Sequence, residues 1–187
     1  MKLLAIPGSI RTGSYNVALL RAMSELTSDD TTLTVYDGLN NIPIFNPNNA
    51  DHDIPVAVAD LMLKIKASDG VIISTPEYIY GISGALKNLL DWLVSTGVLI
   101  SKPVVSTSVS TQPLGAVRSH NALVLILHAM NAAVVVDGSM NVPRVNMKFD
   151  KDLHLIDDFT KQAIAVSLAA LENAVNNVDK SVIELVA

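Results

Sequence analysis

The residues able to do chemistry gather in two segments. The first, Gly8-Ser9-Ile10-Arg11-Thr12-Gly13-Ser14-Tyr15-Asn16, combines small residues, hydroxyls and one Arg with no acidic residue. Set between a strand and a helix start, it would turn backbone N–H groups that the helix cannot satisfy internally toward solvent. The helix dipole, the hydroxyls of Ser9, Thr12 and Ser14, and the charge of Arg11 would then favour a bound phosphate. The same composition also serves an ordinary capped turn. The second segment, Thr75-Pro76-Glu77-Tyr78-Ile79-Tyr80-Gly81-Ile82-Ser83-Gly84, leads into Ala85 to Trp92. Pro76 fixes a backbone angle, Tyr78 and Tyr80 offer broad faces for a planar heterocycle, and Gly81 and Gly84 permit close approach. The plainer reading is that these tyrosines cover the end of a sheet. Leu86, Leu89, Leu90 and Trp92 read as the buried face of a helix.

Two familiar phosphate motifs do not fit. Gly8-x-x-x-x-Gly13 matches the start of a nucleoside-triphosphate loop, but Ser14 stands where Lys is required. The Gly-x-Gly-x-x-Gly pattern of dinucleotide folds is also missing, which leaves a mononucleotide as the better fit.

The elements that must position these loops alternate along the chain. Leu3 to Ile6, Leu33 to Tyr36, Val71 to Ser74, Val104 to Thr107 and Val134 to Asp137 are apolar runs that predict five strands. Helical spacing predicts a helix over residues 15 to 26 with Ser14 as N-cap, and a second after Asp53 and Pro55. Further helices are predicted over Gly84 to Val94, Val117 to Ala129 and Leu155 to Val175. Such alternation predicts an α/β fold, a parallel sheet with helices on both faces, and both loops open at one sheet edge. Asp37 to Asp53, with Pro43, Pro47 and several Asn, is expected to be irregular and surface-exposed.

Length and composition exclude much. The 187 residues suit one domain spanning 1–187. A net charge of −5 with scattered Lys and Arg gives no footprint for nucleic acid. With no Cys, neither disulfides, thiolate metal sites nor a Cys nucleophile are available, so redox chemistry needs a cofactor. His52, His120, His128 and His154 lack metal-ligand spacing, and no Gly-x-Ser-x-Gly elbow marks a hydrolase. Asp157 and Asp158 fit a helix start better than an acid–base couple. No apolar run approaches the roughly 18 residues of a membrane span, and Met1 to Ile6 is short for a signal peptide, so a cytoplasmic protein is expected.

Two signatures carry a family resemblance. Gly8, Ser9, Arg11, Ser14 and Asn16 match Gly-Ser-x-Arg-x-x-Ser-x-Asn. Pro76, Glu77, Tyr78, Gly84, Leu86, Lys87, Asn88, Asp91 and Trp92 match a Pro-Glu-Tyr-Asn, Gly-x-Leu-Lys-Asn, Asp-Trp pattern. The chain resembles the NADPH-dependent FMN reductase family, flavodoxin-like quinone, azo-dye and chromate reductases.

That resemblance implies a three-layer flavodoxin-like sandwich with strand order 2-1-3-4-5. It implies FMN as cofactor, NADPH or NADH as electron donor, a small-molecule acceptor, and a homodimer or homotetramer paired through the helix of the second signature. By position, Ser9, Arg11, Ser14, Tyr15 and Asn16 would hold the FMN phosphate. Pro76, Glu77, Tyr78, Ile79 and Tyr80 would lie along the ring, bordered on the other side by the loop 107–115 with Ser108 and Gln112. No catalytic acid, base or metal ligand is implied. Arg118 would meet an additional phosphate of NADPH or a partner subunit, or simply face solvent. Two departures stand out: Ile79 replaces the usual Asn, and loop 107–115 keeps only Gly115 where glycines are usual. The competing reading is a non-enzymatic flavodoxin-type electron carrier; an FMN-free interaction domain on the same fold is a third.

Overall fold

The computed structural model describes residues 1–48 and 54–177. Strand β1 (Lys2–Pro7) leads to helix α1 (Tyr15–Glu25), β2 (Thr32–Val35), α2 (Val56–Ala67), β3 (Gly70–Thr75) and α3 (Gly84–Val94). There follow β4 (Pro103–Val109), α4 (Val117–Ala129), β5 (Ala133–Val134), β6 (Met140–Val142) and α5 (Asp158–Asn176). All pairings are parallel, in the order β2-β1-β3-β4-β5, with β6 also on β4. This is the flavodoxin-like arrangement.

The central strands are buried along their whole length because helices cover both faces. On one side α2, α3 and α4 pack Leu61, Ile65, Leu86, Leu89, Leu90 and Leu127 against Leu4, Ile6, Val71 and Ile73. On the other, Leu19, Leu20 and Met23 of α1 join Ile164 and Leu168 of α5 over Ala5, Ile72 and Val105. Alternate strand residues therefore serve opposite cores, and truncating one such Leu to Ala costs about 2–5 kcal/mol.

Helices α3 and α4 have the bounds that the spacing predicts. The fifth strand departs from its single predicted run. Only Ala133–Val134 pairs, opposite Pro103 and Val104; a 3-10 turn at Val136–Gly138 intervenes, and Met140–Val142 resumes opposite Thr107–Val109. Gly138 passes so close to the core that a Cβ there would lie 2.7 Å from Val105 Cγ2 and 3.0 Å from the Ser167 carbonyl oxygen. The chain turns inward at the point where Val136 and Asp137 read as a continuing strand.

Helix α5 starts at Asp158, later than the predicted Leu155, because Asp157 caps it by accepting the Thr160 amide at 2.9 Å. The predicted cap Asp53 and residue His52 lie outside the described residues; Pro55 occupies the N-cap position of α2. The loop after β2 is irregular as expected, yet it is anchored. Leu39 and Ile42 are buried, Asn88 donates to the Pro43 carbonyl and accepts the Phe45 amide, and Trp92 Nε1 donates to Pro43 at 2.8 Å. Asn88 and Trp92 of the second signature thus hold this loop.

Candidate functional site

The carboxyl ends of β1, β3 and β4 are in step, Pro7 opposite Ser74 and Thr75 opposite Ser108, so their following loops open side by side. The first loop begins with the Gly8 amide donating to the Ser74 carbonyl at 2.6 Å. Here glycine is required by contact: a Cβ would lie 2.8 Å from both Ser74 O and Leu86 Cδ2. Ser9 Oγ accepts the Arg11 amide at 3.3 Å, and Ser14 Oγ accepts the Asn16 amide at 3.2 Å as N-cap of α1. Among the described residues, the amides of Thr12, Gly13 and Ser14 have no protein acceptor. Asn16 is buried, and its Oδ1 accepts from Ser74 Oγ at 2.8 Å, fastening α1 to β3.

The second loop is a tight turn. Tyr78 and Gly81 exchange N–H···O bonds of 3.0 and 3.1 Å, while Ile79 and Tyr80 have φ of 49° and 62°. Two consecutive left-handed residues define a type I′ turn, a geometry suited to Asn and Gly rather than a β-branched residue. Ile79 is 99% exposed at its tip. Glu77 turns the other way. Its Oε2 accepts the amides of Arg118 at 3.1 Å and Ser119 at 3.2 Å, capping α4 in place of Ala116, which has no side-chain acceptor. Arg118 in turn sets Nη1 3.9 Å from Glu77 Oε1 and its guanidinium 4.4 Å from the Tyr80 ring centroid. It thereby lies against the loop while its side chain stays half exposed to solvent.

The third loop is tied down by Ser110, whose amide donates to Val142 O and whose carbonyl accepts the Val145 amide, both at 3.0 Å. Between the three loops lies an open cleft of about 150 Å³. Ser9, Arg11, Ser14, Tyr15, Asn16, Pro76, Glu77 and Tyr78 all line it. Ile79, Tyr80, Ser108 and Gln112 do not. Ser108 is fully buried, its Oγ lying 2.6 Å from both Gly115 O and Asn141 Oδ1, so that its one hydrogen is taken up within the fold; Gln112 is exposed. Val109, Ser110, Thr111 and Val145 complete the lining. The first three follow from the loop after β4, but nothing in the apolar pattern marks Val145.

Elsewhere, buried His120 sets Nε2 2.9 Å from Ser106 Oγ, and burial pushes its pKa below the ordinary value. No group of three metal-binding side chains occurs among the described residues. None of the described helices is long and apolar enough to cross a membrane.

The cleft pairs a loop of unengaged amides, hydroxyls and one Arg with aromatic and proline surfaces, and residues 1–146, which contain all three loops, match the NADPH-dependent FMN reductase family. The chain belongs to that family. Membership carries the enzyme class, oxidoreductase, and the cofactor pair of FMN with NAD(P)H. An NAD(P)H-dependent FMN reductase of Pseudomonas aeruginosa is 30% identical over 180 residues, 92% of this chain and 94% of that one. An NADPH azoreductase of a Bacillus species is 33% identical over 144 residues, 74% of this chain and 78% of the other. The quinone reductase of Escherichia coli is 30% identical over 138 residues, 72% and 73% of the respective chains. In three dimensions, the NAD(P)H:(acceptor) oxidoreductase FerB of Paracoccus denitrificans superposes with a TM-score of 0.78 at 21% identity, covering 92% of this chain and 98% of its own. At that identity the likeness speaks for the fold.

Proposed function

We propose that this chain is a cytoplasmic, homo-oligomeric reductase, acting as one domain, which binds FMN in the three-loop cleft and serves small acceptors such as quinones and azo compounds. The observation that carries this reading is the convergence of Ser9, Arg11 and Ser14 with Pro76, Glu77 and Tyr78 on one cleft. The first group fits a phosphate: unengaged amides at the start of α1, hydroxyls, and one cation with no carboxylate in the loop. The second group offers an apolar and aromatic margin to a flat ring. When bound, FMN accepts hydride from NAD(P)H and returns two electrons to the acceptor.

The protein's own part is positional. Arg11 and the loop amides neutralise the phosphate. Tyr78, held by the paired hydrogen bonds with Gly81, borders the ring site, and Glu77 fastens this margin to α4. The open cleft suits exchange of donor and acceptor at one place. Steady-state turnover of the FMN-loaded protein with NADPH or NADH against a quinone, an azo dye and free FMN tests the reading. Turnover of at least one acceptor is expected; tight FMN binding with no turnover of any would favour the electron-carrier alternative.

A further inference from the structure

Helix α4 starts without a cap of its own and with little apolar anchorage. Its N-cap position is Ala116, left-handed at φ 63° and with no side-chain acceptor. The buried leucines of the helix, Leu123 and Leu127, come in later turns, and the two buried residues of the first turn, Ser119 and His120, are both polar. Ser119 Oγ donates locally, to the Ala116 carbonyl at 3.0 Å. His120 instead reaches the sheet.

It ends there in a chain of hydrogen bonds with one consistent direction. His120 Nε2 lies 2.9 Å from Ser106 Oγ and 3.2 Å from the Ser106 carbonyl oxygen, both on β4. A carbonyl only accepts, so this geometry assigns a ring proton to Nε2. The Ser106 hydroxyl is then free to donate to Ser139 Oγ at 3.1 Å, and Ser139 donates onward to the Val135 carbonyl at 2.9 Å. Ser139 Oγ also accepts the Ser106 amide at 3.3 Å. Each hydroxyl spends its single hydrogen once, which offsets the cost of burying these polar groups. The chain links α4, β4 and the turn between β5 and β6. An apolar side chain in place of His120 would fill space without fixing a distance and a direction to the strand.

The same helix turn holds one wall of the cleft. Glu77, which lines the cleft, accepts the amides of Arg118 and Ser119, the two residues immediately before His120. The start of α4 is thus strung between Glu77 on one side and Ser106 on the other. We propose that His120 is a positioning residue of the cleft. Through Ser106 it fixes the height and rotation of the first turn of α4, and through the amides of that turn it fixes Glu77 and the margin beside Tyr78. The inference rests on the proposed binding of FMN in this cleft, since it assigns what keeps one wall of that site in place.

FMN fluorescence titration of the apoprotein tests it, alongside urea unfolding of the same variants. His120→Leu is expected to weaken FMN about tenfold, the scale of one net hydrogen bond, and His120→Gln, whose Nε2 also donates, to restore most of the affinity. Ser139→Ala cuts the chain beyond Ser106, so it is expected to lower stability and leave FMN affinity unchanged. Because His120 acts through Glu77, His120→Leu is expected to add nothing in a Glu77→Ala background, where independent effects would multiply. If His120→Leu does not fold, His120→Asn, too short to reach Ser106, takes its place in each comparison.

Unchanged FMN affinity in His120→Leu, the same loss in His120→Gln or in Ser139→Ala, or multiplied effects in the double variant would each overturn the positioning role while the cleft reading stands. Wild-type protein that binds no FMN would sink the cleft reading, and this inference with it.

Discussion

The Ser83 hydroxyl donates to the carbonyl oxygen of Gly8, 75 residues away, while its oxygen accepts the Leu86 amide at 3.1 Å. One side chain thus caps α3 and holds the loop after β1 against the loop after β3. Replacing it removes a helix cap and leaves a buried carbonyl short of a donor. Ser83→Ala is expected to lower stability by about 1–3 kcal/mol and to weaken FMN binding. Urea unfolding and FMN fluorescence titration measure the two effects; full stability would show that the bond contributes nothing.

Gly8 tests the same junction from the other side. Its missing Cβ makes room for backbone and for Leu86, so Gly8→Ala must displace one of them. An overpacking cost of about 1–3 kcal/mol is expected in urea unfolding.

Arg11 is the only charged residue in the loop Gly8–Asn16. Charge-assisted hydrogen bonds contribute about 1.5–3 kcal/mol, so Arg11→Ala is expected to weaken FMN about ten- to a hundredfold with the melting temperature of the apoprotein unchanged. Unchanged FMN affinity would remove Arg11 from the phosphate site.

Ile79 occupies a left-handed position that its β-branch disfavours, at the place where the family usually carries Asn. Ile79→Asn is expected to stabilise the protein by about 1 kcal/mol, because Asn tolerates this conformation and the side chain makes no buried contact to lose. A lower melting temperature would contradict the assigned turn.

The carboxyl group of Asp157 is held down to about 2, chiefly by the hydrogen bond from Lys148 and then by that from Thr160. Its unfolded value is about 3.9, so the folded state favours the ionised form and the resulting stability is complete above that pH. Melting curves are expected to show it lost as pH falls from about 4 toward 2, with Asp157→Asn less dependent on pH over that window. Equal slopes for both proteins would argue against the pair.

Much of this was legible in the sequence because the signals were local. Ser14 does cap a helix, and the apolar stripe of α3 does face the core, since helix starts and 3.6-residue spacing are properties of neighbouring residues. The break between β5 and β6 was hidden, because it depends on the approach of Gly138 to Val105 and Ser167, residues distant in sequence. The same limit governs the site. Loop composition marked Ser9 to Asn16 and Pro76 to Tyr78, whereas Ser108 looked available and instead spends its hydroxyl on Gly115 and Asn141. The role of Glu77 as a cap for α4 was equally invisible, since its partners lie 41 and 42 residues away.

The central claim is that the three-loop cleft holds FMN where a nicotinamide can reduce it. Anaerobic addition of NADPH to the FMN-loaded protein, followed by the visible flavin spectrum, tests it most directly. Prompt bleaching of protein-bound flavin is the expected result; flavin that stays bound and oxidised, or that never binds, would contradict it.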